Sequence, residues 1–121
     1  MAVAFAFTTD VPCQIKWLRK GVHLDLVGGF TQKMRETDDE AVQRARVYVD
    51  TRAGALKEAG DIVQPLASGV LAEYEIAGDL FDLCREKASG RRSAQVVTLF
   101  KSVGTALEDL AAARLAYNGA S

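Results

Sequence analysis

Two short stretches hold the residues best placed to do chemistry. One is "TLFKSVG", residues 98–104, and the other is "LVGG", residues 26–29. In the first, an apolar run ends at Ser102-Val103-Gly104 and an Ala/Leu-rich helical pattern follows at once. That is the signature of strand, tight turn, helix. Backbone amides at such a turn can hold a polar or anionic ligand. Ser102 can equally be no more than the residue that caps the helix. Gly28-Gly29 likewise follows a strand-like run, and its simplest role is a turn that needs positive φ.

Other candidates are weaker. His23 is the one histidine, and with Asp25 on the same strand face it has the residue types for acid–base work, although a partly exposed strand residue is the plainer reading. Glu58 and Asp61 in "EAGD" look like paired carboxylates, but a helix end with Asp61 satisfying local amides explains them. Arg91-Arg92 has the charge to grip a phosphate, yet adjacent basic residues in a Gly/Ser loop are usually solvated. Lys101 would need burial to become a nucleophile, and no local pattern supplies that burial. Cys13 and Cys84 stand alone, without C-x-x-C or metal-type histidine spacing. Cys84, in "DLFDLC", has the spacing of a buried helix face.

The elements that must position these residues can be read from hydrophobic period. "AVAFAFTT" (2–9) reads as a buried strand, and 10–21 as a loop punctuated by Pro12 and Gly21. In "VHLDLVGG" (22–29), Val22, Leu24 and Leu26 alternate with His23 and Asp25, which predicts a strand. "TDDEAVQRA" (37–45) has a capping-box pattern, Thr37 with Glu40, and acidic residues suited to a helix start. A strand is expected in 46–51. A helix is expected in 51–60, with Gly60 as its C-terminal cap. Residues 61–69 are predicted extended or looped, because Pro65 disfavours helix at Gln64. Ile76, Leu80, Phe81 and Cys84 recur at helical steps and predict a helix over 74–90. A strand at 96–100 precedes a closing helix over 103–118, with Ala106, Leu110, Ala113 and Tyr117 on one face and a second capping box at Thr105 and Glu108.

Strands alternating with helices argue for an α/β fold with a mostly parallel sheet, whose ligands lie at the carboxyl ends of the strands. Three predicted strand ends carry small or polar residues: Thr8-Thr9, Gly28-Gly29 and Ser102-Val103-Gly104. No G-x-G-x-x-G and no P-loop accompanies them. The pattern is that of the second half of a doubly wound, Rossmann-like sheet without the first, followed by a long C-terminal helix.

Bulk properties narrow the field. With 121 residues the chain suits one domain. Its 15 basic and 16 acidic residues leave a net charge of −1 and no basic stripe, so nucleic acid is not an expected partner. "MAVAFAF" is too short to span a bilayer, and no Lys or Arg precedes it. A cytoplasmic chain with two free thiols is expected.

In their order along the chain, "RETDDE", "EAGD", "TLFKSVG" and "ALEDLAAA" resemble the ornithine cyclodeaminase/mu-crystallin family, most closely its bacterial pyrroline-2-carboxylate reductases. The resemblance runs from about Gly21 to Tyr117, and residues 1–20 are atypical. Family members are much longer, so the resemblance implies the last part of an NAD(P)-binding Rossmann-like domain over 1–121. It implies NAD or NADP as cofactor, hydride transfer to the C=N carbon of a cyclic imino acid, a small-molecule imino or amino acid as partner, and a homo-oligomer as an option. The cofactor contacts it implies are Val27, Gly28, Gly29, Ser102 and Thr9 (or its neighbour Thr8), with Val103 beside the substrate. No catalytic residue and no metal ligand carries over. Cyclodeaminases have an Asp after the glycine pair, a base toward water. Phe30 stands there, which disfavours that reaction and leaves the reductase reaction open. Gln32 replaces a frequent Pro. Lacking the Gly-rich loop and the substrate domain, the isolated chain is expected to be inactive. The alternative is a non-catalytic truncated relative, acting as an interaction module or a decaying gene product.

Overall fold

The computed structural model describes residues 3–6, 14, 16 and 18–120. Its strands are β1 (Val3–Ala6), β2 (His23–Leu26), β3 (Arg46–Val49), β4 (Gly78–Asp79) and β5 (Thr98–Lys101). They form one sheet, all parallel, in the order β1-β2-β5-β3-β4. The helices are α1 (Asp39–Arg44), α2 (Arg52–Glu58), α3 (Gly60–Ser68), α4 (Leu80–Cys84) and α5 (Ala106–Gly119). The α/β class and the partial doubly wound arrangement read from the sequence are therefore present.

Register decides which residues share a face. Leu24 pairs with Leu99 and Leu26 with Lys101, while Val47 and Val49 of β3 pair with the same two β5 residues. Side chains paired in a parallel ladder point the same way. Leu24, Leu26, Val47, Val49 and Leu99 thus form one apolar face, and Ala41, Val42, Ala55, Ala59 and Ile62 of α1, α2 and α3 or their caps complete the core against it. Lys101 lies on this face as well, fully buried.

The opposite face carries His23, Asp25, Tyr48, Thr98 and Phe100. Leu80 and Leu83 of α4 only partly cover it and leave an apolar cavity of about 360 Å³. Arg91 borders that cavity. It donates to the carbonyls of Gly21, Val22 and Val96 and to Thr98 Oγ1, so it laces the loop before β5 to the start of β2 instead of being solvated. Arg92 is exposed.

Several local expectations are corrected. Asp38, not Thr37, caps α1, its carboxylate accepting from Ala41 N. Thr37 is instead drawn inward, where its N–H donates to Asp61 Oδ1 at 3.0 Å. Gly60 opens α3 and does not close α2, whose C-cap is Ala59. A Cβ on Gly60 would run into the carbonyls of Thr31, Gln32 and Met34, so close approach of the 31–34 turn demands glycine there.

Residues 60–68 are helical despite Pro65. A proline in this position removes one bond, that to the Asp61 carbonyl, while Ile62 and Pro65 are buried and Gly69, at φ 76°, closes the helix. The long helix predicted over 74–90 is broken up. Ala77 N donates to Val47 O at 2.8 Å and Gly78 pairs with Tyr48, so β3 recruits this stretch as an edge strand. Asp79 then caps the short α4, and Cys84 is exposed instead of buried. The Thr105–Glu108 capping box of α5 is present.

Candidate functional site

Because neighbouring strands are parallel, the carboxyl ends of β2, β5 and β3 lie side by side. Ser102 N donates to Leu26 O at 3.0 Å and Asp50 N to Lys101 O at 3.1 Å. Val27-Gly28-Gly29, Ser102-Val103-Gly104 and Asp50 therefore occupy one end of the sheet. Two of the three strand ends singled out in the sequence are thus adjacent. Thr8 and Thr9, the third, lie outside the described residues.

Each turn is tied to a carboxylate from elsewhere in the chain. Asp50, at the end of β3, is fully buried. Its Oδ2 accepts from Ser102 Oγ at 3.0 Å, Val103 N at 2.8 Å and Gly104 N at 2.9 Å, and its Oδ1 accepts from Thr51 N at 2.6 Å. The turn amides that would hold an anion thus hold an internal one. Gly104, at φ 85°, takes the left-handed conformation that this wrap requires. Thr105, not Ser102, caps α5.

The glycine turn is held in the same manner by Glu36. Its Oε1 accepts from Gly28 N at 2.9 Å and its Oε2 from Gly29 N at 2.8 Å. Neither glycine has positive φ, contrary to the simplest expectation. Gly29 is glycine for another reason: a Cβ would come within 2.9 Å of Asp61 Oδ2 and 3.3 Å of both Glu36 Oε2 and Lys101 Nζ.

Those three charged groups form a cluster with no exposed side-chain surface. Lys101 Nζ lies 2.6 Å from Glu36 Oε2 and 3.4 Å from Asp61 Oδ2. Asp61 Oδ1 accepts from the N–H groups of Glu36 and Thr37, while its Oδ2 has no hydrogen-bond partner. Burial pushes the Asp61 carboxyl above its ordinary value, against the lowering effect of those two amides and of the Lys101 charge. Asp61 does satisfy amides, as the sequence suggested, but those of a loop 24 and 25 residues away. Glu58, its supposed partner, is exposed on α2.

Of the remaining candidates, Val27 is exposed and Val103 half-buried, its Cγ2 lying where a Cβ on Gly54 would come within 3.0 Å. Phe30 is exposed. His23 Nδ1 lies 2.8 Å from Thr98 Oγ1, at the opposite end of β2 from the glycine turn. No group of three or more His, Cys, Asp or Glu among the described residues could hold a metal ion.

Sequence reasoning passed over Glu36 and Asp50, and it set Lys101 aside. One signal was available for Lys101: strand period places it on the same face as Leu99.

A nicotinamide cofactor can be tested against this end of the sheet. The rim presents main chain and small or apolar side chains, with the amides of Gly28, Gly29, Ser102, Val103 and Gly104 already ligated. It suits the edge of an uncharged ring or amide and offers the diphosphate no free amide donors at these turns.

The all-parallel sheet order and the two turns at adjacent strand ends define this chain as part of a doubly wound, Rossmann-like domain. The model of the ornithine cyclodeaminase/mu-crystallin family matches residues 3–121. The chain belongs to that family. An uncharacterised protein of Schizosaccharomyces pombe is 53% identical over 105 residues, covering 84% of this chain and 32% of that protein. The Delta(1)-pyrroline-2-carboxylate reductase of Paracoccus denitrificans is 43% identical over 94 residues, covering 78% and 30%. Among solved structures, Thermococcus litoralis Delta(1)-pyrroline-2-carboxylate reductase in complex with NADH and L-proline superposes with a TM-score of 0.86 at 35% identity, over 96% of this chain and 36% of that one. The chain thus spans about a third of the length of the relatives it matches.

Proposed function

We propose that this chain forms the reactive-ring side of a nicotinamide cleft in a reductase of cyclic imino acids such as pyrroline-2-carboxylate. The observation that carries this reading is the adjacency of Val27-Gly28-Gly29 and Ser102-Val103-Gly104, each hydrogen-bonded by a buried carboxylate. Bound NAD(P)H would supply the hydride that adds to the C=N carbon. The residues of this chain would do the positioning. The backbone of Val27 to Gly29 and the Ser102 turn would border the ring, with Val103 beside the substrate; the family resemblance adds Thr9 as a further cofactor contact. Phe30 cannot take a proton from water, so the rim favours reduction over a cyclodeamination that needs a base in that position. Diphosphate binding and proton donation fall to the parts of the family fold outside this third. A cytoplasmic setting suits the free thiol of Cys84. No helix among the described residues is long and apolar enough to cross a membrane.

The test uses the purified chain at verified length. Turnover of NAD(P)H with pyrroline-2-carboxylate is expected to be absent and NADH binding weak. Reduced nicotinamide mononucleotide should shift the amide resonances of Val27, Ser102 and Val103. Clear turnover would show that the chain is self-sufficient. Shifts confined to other residues would refute the assignment of the rim.

A further inference from the structure

Both turns at the cofactor rim are ligated from within, and the two ligations differ in one respect. Asp50 reaches its turn directly and needs no counter-ion from the turn's own strand. Glu36 shares its Oε2 between Gly29 N and Lys101 Nζ, at 2.8 and 2.6 Å. Lys101 immediately precedes Ser102 in the chain. A cation attached to the foot of one turn therefore holds the carboxylate that holds the other.

The rest of the surroundings fixes this arrangement. Glu36 is further anchored by its own N–H to Asp61 Oδ1 at 2.9 Å. Glu36, Asp61 and Lys101 are all fully buried, so neither water nor salt competes for the contact. Gly29 has no room for a side chain above the cluster. The loop from Gly28 to Glu36 is thereby closed into a ring whose clasp is a charged group of β5.

We propose that Lys101, acting through Glu36, is a positioning residue that sets the Gly28-Gly29 turn against the Ser102–Gly104 turn, and so fixes the width of the rim that borders the nicotinamide ring. The functional half of this statement rests on the reading given above. The structural half stands on the hydrogen bonds alone. Loss of a salt bridge with only a stability role would lower the melting point without changing the relative order of the two turns. A positioning clasp loosens one turn and spares the other.

The experiment compares amide hydrogen exchange at Gly28, Gly29 and Gly104 in the 121-residue chain and in Glu36→Gln, followed by titration with reduced nicotinamide mononucleotide. Glu36→Gln keeps the shape and one carbonyl acceptor but loses the second acceptor and the charge that Lys101 holds. Exchange at Gly28 and Gly29 should rise about tenfold, the loss of one buried hydrogen bond to a charged group, while Gly104, held by Asp50, stays within about twofold. Mononucleotide affinity should fall several-fold, and Lys101→Arg should retain most of it. Where Glu36→Gln fails to fold, Glu36→Asp is used: it keeps the charge but is one methylene too short to serve both amides and Lys101. Unchanged exchange at Gly28 and Gly29 overturns the clasp and leaves the cofactor reading intact. Faster exchange with unchanged mononucleotide affinity overturns the positioning role. Absence of any mononucleotide response in the wild-type chain overturns the cofactor reading and the functional half with it.

Discussion

At the scale of residues, the dominant feature is a lysine inside an apolar sheet face. A buried ion pair adds little stability by itself, because desolvation offsets the attraction, but removing one partner is costly. Lys101→Met would leave Glu36 and Asp61 buried with no cation between them. We expect it to destabilise the chain by about 3–5 kcal/mol, read as a fall in the urea midpoint. A midpoint equal to wild type would show the cluster to be neutralised in some other way. Asp61 adds a pH signature. Its native pKa lies above the unfolded value, so over an interval starting near the ordinary carboxylate range the native state keeps a proton that the unfolded chain has released. The stability linked to that proton is fully present below the interval and is lost as pH rises through the native pKa. Asp61→Asn abolishes this titration. The stability of Asp61→Asn minus that of wild type should therefore increase as pH rises above the ordinary carboxylate range, read by urea unfolding at a series of pH values. A flat difference would contradict the raised native pKa.

At the scale of elements, legibility followed the range of the interactions. β2 was readable because Val22, Leu24 and Leu26 alternate, and the face bearing Leu24 and Leu26 is buried in the core. The α5 capping box was readable because both partners lie three residues apart. Of the helix read over 74–90, Leu80–Cys84 is present as α4, but residues 76–79 were misread, because the edge of β3, thirty positions earlier, bonds Ala77 and claims Gly78 and Asp79 as strand. Asp50 and Ser102, 52 apart, and Glu36 and Lys101, 65 apart, leave no trace in any local window. Pro65 misled for the opposite reason: a local rule was applied where burial of Ile62 and Pro65 outweighs one missing hydrogen bond. Gly60 gives an element-level prediction. Packing the start of α3 against the 31–34 turn leaves no space for a methyl group, so Gly60→Ala should cost about 3 kcal/mol or more. Gly90→Ala, at a site with open space and no positive φ, serves as the control and should change stability by less than about 0.5 kcal/mol. Equal thermal midpoints for the two variants would mean that the turn moves aside freely.

At the scale of the whole molecule, the surface is larger than the mass accounts for. A folded monomer of 13.0 kDa typically exposes about 6,300 Å², whereas this chain exposes 7431 Å². The excess, roughly 1,100 Å², exceeds the area of about 800 Å² that one partner contributes to a protein–protein contact of standard size. Part of it lies on elements that can be named. α5 is exposed along nearly its whole length, with Leu107, Leu110, Leu115 and Tyr117 more than half accessible. The sheet face bearing Tyr48 and Phe100 is only partly roofed by α4. β1 pairs on one side only, and a parallel sheet is normally covered on both faces. Exposed apolar side chains such as these seek a cover, and for a chain in isolation the available cover is another copy. Sedimentation equilibrium at roughly tens of micromolar should therefore give a mass above 13.0 kDa that rises with concentration. Leu110→Glu with Leu115→Glu should shift it toward the monomer while leaving the β2–β5–β3 core folded, because neither leucine belongs to that core. A wild-type chain that sediments as a folded monomer at every concentration would mean that these faces tolerate water.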